Sequence, residues 1–190
     1  MPMKNKTDTI IRTNEVPVKV YVQGDCPCAD SFLQDGPLYA SLYPQKDMPV
    51  FRGRGFVLFD FGREMCGGLR IVYHCSPRSA KIRIRFGESV GECCAELGYK
   101  NAGNEHSVRD FEVVLPNFSD GVYGDTGFRF VRLDFTEDTE YKFYGVRAVS
   151  THWDAVRQGS FESEDALLNK IFDTAAYTCG LCVQTQLWDG

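Results

Sequence analysis

The sequence lacks an apolar segment behind its first residues. Met1-Pro2-Met3-Lys4-Asn5-Lys6-Thr7 runs into mixed polar residues, so no signal peptide is read there. No apolar run is long enough to cross a bilayer, and no membrane partner is expected. A basic excess is also missing. The 190 residues carry 21 Lys and Arg against 26 Asp and Glu, a net charge of −5. Nucleic-acid binding needs clustered cations, so the acidic balance argues against it. Histidine is scarce, with three residues in all. The cysteines, by contrast, number eight, but Cys26 and Cys28 flank one proline and Cys93 adjoins Cys94. That is not the spacing of a secreted disulfide framework, and a cytoplasmic protein with reduced thiols is expected. The glycosylation-like triplets at Asn5 and Asn117 carry no meaning in that compartment. Internal repeats and low-complexity stretches are absent.

What is present is an ordinary globular composition, 43% hydrophobic and 25% charged, with 14 Phe, 9 Tyr and 2 Trp. A chain of this length buries roughly 70% of its unfolded surface and needs no metal or disulfide to fold. Residues 1–50 read as an irregular wrap with scattered Pro and Gly. From Phe51 the texture changes to short apolar runs between turn residues. Phe56 to Phe61 is apolar on both faces. Leu69, Ile71 and Tyr73 alternate with Arg70, Val72 and His74. Lys81 to Phe86 is the clearest strand, with Ile82, Ile84 and Phe86 inward and Lys81, Arg83 and Arg85 expected to be wet. Val108 to Leu115 and Tyr141 to Ser150 add two more. Gly127 to Phe135 shows a phase slip. A bulge near Phe130–Val131 would turn Phe128, Phe130, Val131, Leu133 and Phe135 all inward. Six strands without interleaved helices predict an antiparallel, jelly-roll-like β-sandwich over 51–158.

After Gly159 the period becomes 3.6. Leu168, Ile171, Phe172, Ala175, Cys179 and Cys182 recur on one face, predicting a helix from about 164 to 185 with Ser163 as N-cap. Nothing in the sequence follows to cover that face. It must pack on the sandwich, on another chain, or on a domain that this chain does not supply. Self-association through this C-terminal helix is therefore a liability.

Few residues carry chemistry. Cys179-Gly-Leu-Cys182 is a CxxC, but it sits in the last turns of a helix, away from the N-terminal position that activates a thiol. It reads as two core thiols. A zinc site from Cys26, Cys28, Cys179 and Cys182 lacks the usual spacing. Gly53-Arg-Gly55 is a turn, not a nucleotide fingerprint. His74, His106 and His152 have no nucleophile at a suggestive spacing. Glu88, Glu92 and Glu96 lie in a connection and read as solvated charges. Trp153, Tyr99, Tyr123 and Phe118 are aromatics in or beside loops, placed to stack on a sugar or to pack on a neighbour or the core. No cofactor and no metal is indicated.

With the elements placed, the order of motifs resembles the N-terminal part of bacterial α-L-rhamnosidase-like glycoside hydrolases, family 78 type. The stretches are Phe59-Asp-Phe-Gly-Arg-Glu-Met-Cys-Gly-Gly-Leu69, Ile84-Arg-Phe-Gly-Glu88 and Val108-Arg-Asp-Phe111. They continue through Gly127-Phe-Arg-Phe-Val-Arg132 and Gly159-Ser-Phe-Glu-Ser163 into Leu167-Leu-Asn-Lys-Ile171, and close on Cys182-Val-Gln184 and Trp188-Asp-Gly190. The resemblance spans about residues 50–190.

It implies an accessory β-sandwich (51–158) followed by the first helix (159–190) of a truncated (α/α)6 barrel. In such enzymes a glutamic acid protonates the leaving oxygen and a second carboxylate activates water, roughly 6.5–9.5 Å apart, with inversion. Neither carboxylate is expected in this chain, so it is expected to be inactive alone, with no catalytic residue of its own. Asp189 matches the aspartate that contacts the sugar, and Trp153 is the residue to watch for sugar stacking. The partner implied is a rhamnose-containing glycoside, reached through the missing barrel. Two other readings stay open: a carbohydrate-binding sandwich, and an interaction protein that docks through its terminal helix.

Overall fold

The computed structural model describes residues 10–78, 80–105, 107–153, 159–184 and 186–187. The chain divides into two units, residues 14–150 and residues 1–13 with 151–190. The strands in chain order are β1 (Ile10–Glu15), β2 (Lys19–Gly24), β3 (Val50–Arg52), β4 (Gly55–Cys75), β5 (Ala80–Gly87), β6 (Asp110–Leu115), β7 (Ser119–Phe135) and β8 (Glu140–Trp153). Two α-helices join them, α1 (Val90–Cys94) and α2 (Ala166–Cys182).

The predicted mainly-β fold is the one observed: an antiparallel sandwich with one long helix after it. Its layers are built by two bent strands. The first part of β4, from Gly55 to Asp60, pairs with β2 and with the end of β7. Its last part, from Gly67 to Cys75, pairs with β8 and with the start of β7. One layer is thus β2-β4-β7-β5-β6 and the other is β7-β4-β8-β3. The bends fall where the register shifts, between Asp60 and Met65 and between Gly67 and Leu69. Gly62 and Gly124 supply the positive φ those kinks need, 82° and 80°.

Between the layers lies one aromatic-rich core. Val57, Phe59, Ile82, Ile84, Leu133 and Phe135 come from one side, and Leu69, Ile71, Tyr73, Phe143, Val146 and Ala148 from the other. Phe135 and Phe143 meet across it with ring centroids 5.8 Å apart. Each fully buried side chain of this size contributes roughly 1.5–3 kcal/mol. Tyr141 stays in the core because its hydroxyl is satisfied. It donates to Lys81 O at 3.1 Å and accepts from Glu137 N at 3.0 Å.

Four expectations change. Among the described residues eight strands replace six, because β1 and β2 fall in the stretch expected to be irregular, because β3 forms at its end, and because the two runs from Phe56 and Leu69 are one bent strand. Phe130 does not join the main core. It faces outward with Leu58 and Cys93 in a second, smaller cluster, since the slip in phase is absorbed opposite the β4 kink. Arg85 is not wet but buried, because α1 and the connection behind it fold over that face. Helix α2 runs over 166–182, and its N-cap is Asp165, whose carboxylate accepts from Leu167 N at 2.8 Å. Ser163 lies before it and bonds Asn169. No described helix is long and apolar enough to cross a membrane.

Candidate functional site

The residues singled out in the sequence do not gather in one place. Asp189 lies outside the described residues, as does His106. Trp153 ends β8, partly exposed, and its indole N–H donates to Gln184 O. Its polar edge is therefore occupied within the unit that also holds α2. Tyr123 lies in β7 and packs against the main core. Phe118 occupies a tight turn at φ 56° with its ring against His74. Tyr99 alone of the four loop aromatics stands on an open groove, with 61% of its surface exposed.

His74 is buried beside Phe118 and Tyr144, and burial lowers its pKa. All eight cysteines are thiols. Cys179 is exposed and Cys182 half-buried, so the expected pair of core thiols is not found. The reason is that no residue of α2 is buried. Cys26 and Cys28 bring their sulfurs to 4.0 Å, and that contact together with burial pushes the Cys26 thiol up. Among the described residues no three His, Cys, Asp or Glu side chains are placed to share a metal ion.

The acidic residues of the 88–96 connection are put to structural use. Glu92 closes the start of α1: its amide is accepted by Ser89 Oγ at 3.1 Å, and its carboxylate accepts from Glu88 N at 2.9 Å. Glu96 reaches Arg83 at 2.8 Å and Arg85 at 2.9 Å. Hydrogen bonding to Arg83 holds its carboxyl below the usual range. These contacts belong to a wider network. Asp110 grips Arg83 through both oxygens at 2.6 Å, and Asp134 takes Arg85 at 3.0 Å and Arg132 at 2.7 Å. The alternation of Arg83 and Arg85 was visible in the sequence. Its partners were not, because they come from β6, β7 and a loop.

Two open surfaces of the described residues bear on function. The first is α2, where Leu167, Leu168 and Ile171 are 63%, 46% and 53% exposed. The second is a groove of about 560 Å3 between α1 and the loop that follows it, bordered by Glu92, Tyr99, Lys100, Asn101, Ser107 and Arg109. Sequence reasoning found Tyr99 but had no signal for the groove, which depends on how residues 95–109 fold back.

No protein-family model matches the sequence, and no curated relative does. Solved structures do. The rhamnosidase from Klebsiella oxytoca with rhamnose bound overlies 92% of this chain with a TM-score of 0.65, at 15% identity, and the match covers 36% of that protein. The GH78 family rhamnosidase of Bacillus sp. GL1 overlies 83% with a TM-score of 0.61, at 18% identity and over 16% of its own length. The chain thus spans about a third of one relative and a sixth of the other. Over that length its fold is similar to the matched part of each of these two rhamnosidases.

Proposed function

We propose that this chain is the non-catalytic sandwich portion of an α-L-rhamnosidase-like glycoside hydrolase, and that it packs against and positions a helical catalytic barrel that begins with α2. The fold match carries the reading. A share of 92% is too large to be confined to the sandwich and takes in part of the segment after residue 158. The exposure of α2 supports it further. A helix whose Leu167, Leu168 and Ile171 are all uncovered is shaped for neighbours. In this role the sandwich touches no substrate. The rhamnose-containing glycoside is engaged by the barrel, and Asp189 is the residue of this chain that the family resemblance assigns to sugar contact.

Two measurements test the reading. An aryl α-L-rhamnoside offered to this chain is expected to stay intact, and turnover above background would refute the non-catalytic role. The coding sequence after Gly190 is expected to continue into alternating amphipathic helices with an acidic cluster. A stop codon there, with no such helices encoded alongside, would remove the barrel and with it the proposal.

A further inference from the structure

Cysteine and proline together shape the turn that leaves β2. Proline has its φ fixed for the second position of a tight turn, and Cys26-Pro27-Cys28 places a thiol on either side of it. Cys26 O accepts from Ala29 N at 3.1 Å, and Cys28 takes the third position at φ −94° and ψ 14°, as a type I turn requires. The turn is anchored at both ends. Cys26 N donates to Gln23 Oε1 at 3.1 Å, and Cys28 O accepts from Ser31 N at 3.0 Å. Just before it, the carbonyls of Gly24 and Asp25 press on β4 so closely that a Cβ at Gly55 would lie 2.7 and 2.8 Å from them.

This turn brings the two sulfurs to 4.0 Å. A disulfide needs about 2 Å, and the gap is of the order that a side-chain torsion closes. The pair is also asymmetric. Cys26 is fully buried in the main core with Ala29 and Phe32, whereas Cys28 is half-buried. The hydrogen bond between them keeps the Cys28 thiol below its ordinary pKa and, together with burial, pushes Cys26 above its own. One thiol is thus accessible and the more readily ionised, and the other is sheltered behind it.

Cys93 and Cys94 show the contrast. They adjoin in sequence but turn to different partners, Arg85 O at 3.2 Å and Arg132 Nη1 at 3.7 Å. Nor does a metal account for the contact between Cys26 and Cys28, because among the described residues no three His, Cys, Asp or Glu side chains are placed to share one. Two thiols in contact without a third donor suit a disulfide rather than a tetrahedral ion.

We propose that Cys26 and Cys28 form a redox-active dithiol that exchanges with small-molecule disulfides and closes to an intramolecular disulfide. The Cys28 thiolate attacks one sulfur of the small disulfide. A mixed disulfide forms, and one small thiolate leaves and takes up the proton that Cys28 gave to solvent. Cys26 then loses its proton to solvent and attacks the Cys28 sulfur. The bond between Cys26 and Cys28 forms, and the second small thiolate leaves and takes up that proton. Two protein thiols are oxidised, and one small disulfide is reduced to two thiols. The site goes beyond the positioning role and does not depend on it, because both cysteines and their anchors lie within residues 14–150.

The probe is glutathione. The whole chain is equilibrated in mixtures of its reduced and oxidised forms and quenched in acid, and the free thiols are alkylated. The tryptic peptide from Val20 to Lys46 holds these two cysteines and no other, so its mass reads the pair alone. As the oxidised share rises, the peptide is expected to lose both alkylation sites and two hydrogens, with no glutathione retained. Cys26→Ala is expected to trap glutathione on Cys28, and Cys28→Ser to leave Cys26 free of it. The wild-type peptide decides the matter without either variant. A pair that stays reduced at every ratio in the folded chain, or that closes only in urea, overturns the proposal. So does a wild-type chain that keeps glutathione on Cys28 without closing.

Discussion

Asp60 holds Arg129 by two points across the kink of β4, with Oδ1 accepting from Nε at 2.8 Å and Oδ2 from Nη2 at 3.0 Å. The aspartate is the buried partner, with 2% of its side chain exposed against 41% for the arginine. It also accepts from Gly62 N at 2.7 Å and lies 3.6 Å from Lys19. One carboxylate therefore ties the register break of β4 to both neighbouring strands. This gives a physical role to the Asp60 and Gly62 of the motif that led to the rhamnosidase resemblance.

Asp60→Ala is expected to destabilise the chain by about 1–3 kcal/mol, since it leaves the Gly62 amide without its acceptor and breaks the pair with Arg129, whose exposed guanidinium is rehydrated. Asp60→Asn keeps the amide's acceptor and is expected to cost less. The guanidinium of Arg129 holds the Asp60 carboxyl below the ordinary aspartate range. A lowered carboxyl pKa means stability that is present above the unfolded value, near pH 4, and lost as pH falls through the folded one. Urea midpoints of the wild type should drop on acidification below about pH 4, and those of Asp60→Asn should drop less. Parallel acid limbs would contradict this.

Glu64 gives the opposite sign four residues away. Burial, and then the charges of Glu88 and Glu92, push its carboxyl up to about 7. The folded state thus binds a proton that the unfolded chain releases near pH 4.5. The contribution is complete below that value and is lost as pH rises through 7. One proton gives a slope no steeper than about 1.4 kcal/mol per pH unit. Glu64→Gln should flatten the fall in stability between pH 5 and 8 by up to that slope and raise the urea midpoint at pH 8. A variant less stable than wild type at pH 8 would show that the carboxylate is supported by interactions stronger than its repulsion.

How far the sequence carried the reading depended on locality. Alternation in Ile82, Ile84 and Phe86 needed only a period of two, and all three are fully buried. The change to a period of 3.6 after Gly159 located α2 to within a few residues. What failed were features set by distant partners. The burial of Arg85 depends on Glu96 and Asp134. The outward turn of Phe130 depends on a kink in another strand. β2 was missed because Lys19 to Gly24 is short and, although Val20 and Val22 alternate with Lys19, Tyr21 and Gln23, it lies among Pro and Gly and is held by its pairing with β4, with a register shift between the two valines. The groove at Tyr99 rests on two left-handed residues that are not glycine, so no local signal marks it.

Gly68 shows how closely the bent strands approach. A Cβ placed there would lie 2.4 Å from Gly124 O and 2.8 Å from Tyr123 O, both backbone atoms that cannot step aside. Gly68→Ala is therefore expected to cost about 1–3 kcal/mol by overpacking, read as a lower urea midpoint with the same m-value. Gly36 meets nothing within 4 Å, and Gly36→Ala is the control that should stay near neutral.

The cysteines divide by surroundings in a way a thiol reagent can read. Burial pushes the Cys93 thiol up to about 12, and its sulfur donates to Arg85 O at 3.2 Å. Cys179 stands exposed on α2. At pH 8 an aromatic disulfide reagent should modify Cys179 in its first phase and Cys93 only on unfolding. Peptide mass mapping of the first adduct decides it, and early labelling of Cys93 would mean that α1 does not cover β5 as described.

The last expectation concerns the face of α2. On the proposed reading, Leu167, Leu168 and Ile171 are covered by barrel helices; in the chain by itself they are free to find each other. Replacing Leu168 and Ile171 together by glutamate removes the apolar stripe and keeps good helix-forming residues. Neither side chain is buried, so chain stability should move by no more than about 0.5 kcal/mol per site. Sedimentation should show the wild type associating with rising concentration and the double variant staying monomeric. A wild type that forms a single sharp dimer, abolished by the two glutamates, would favour a dedicated pairing surface over a face made for a barrel. A wild type that stays monomeric throughout would mean the stripe is not adhesive, and the case for absent companions would then rest on the fold match alone.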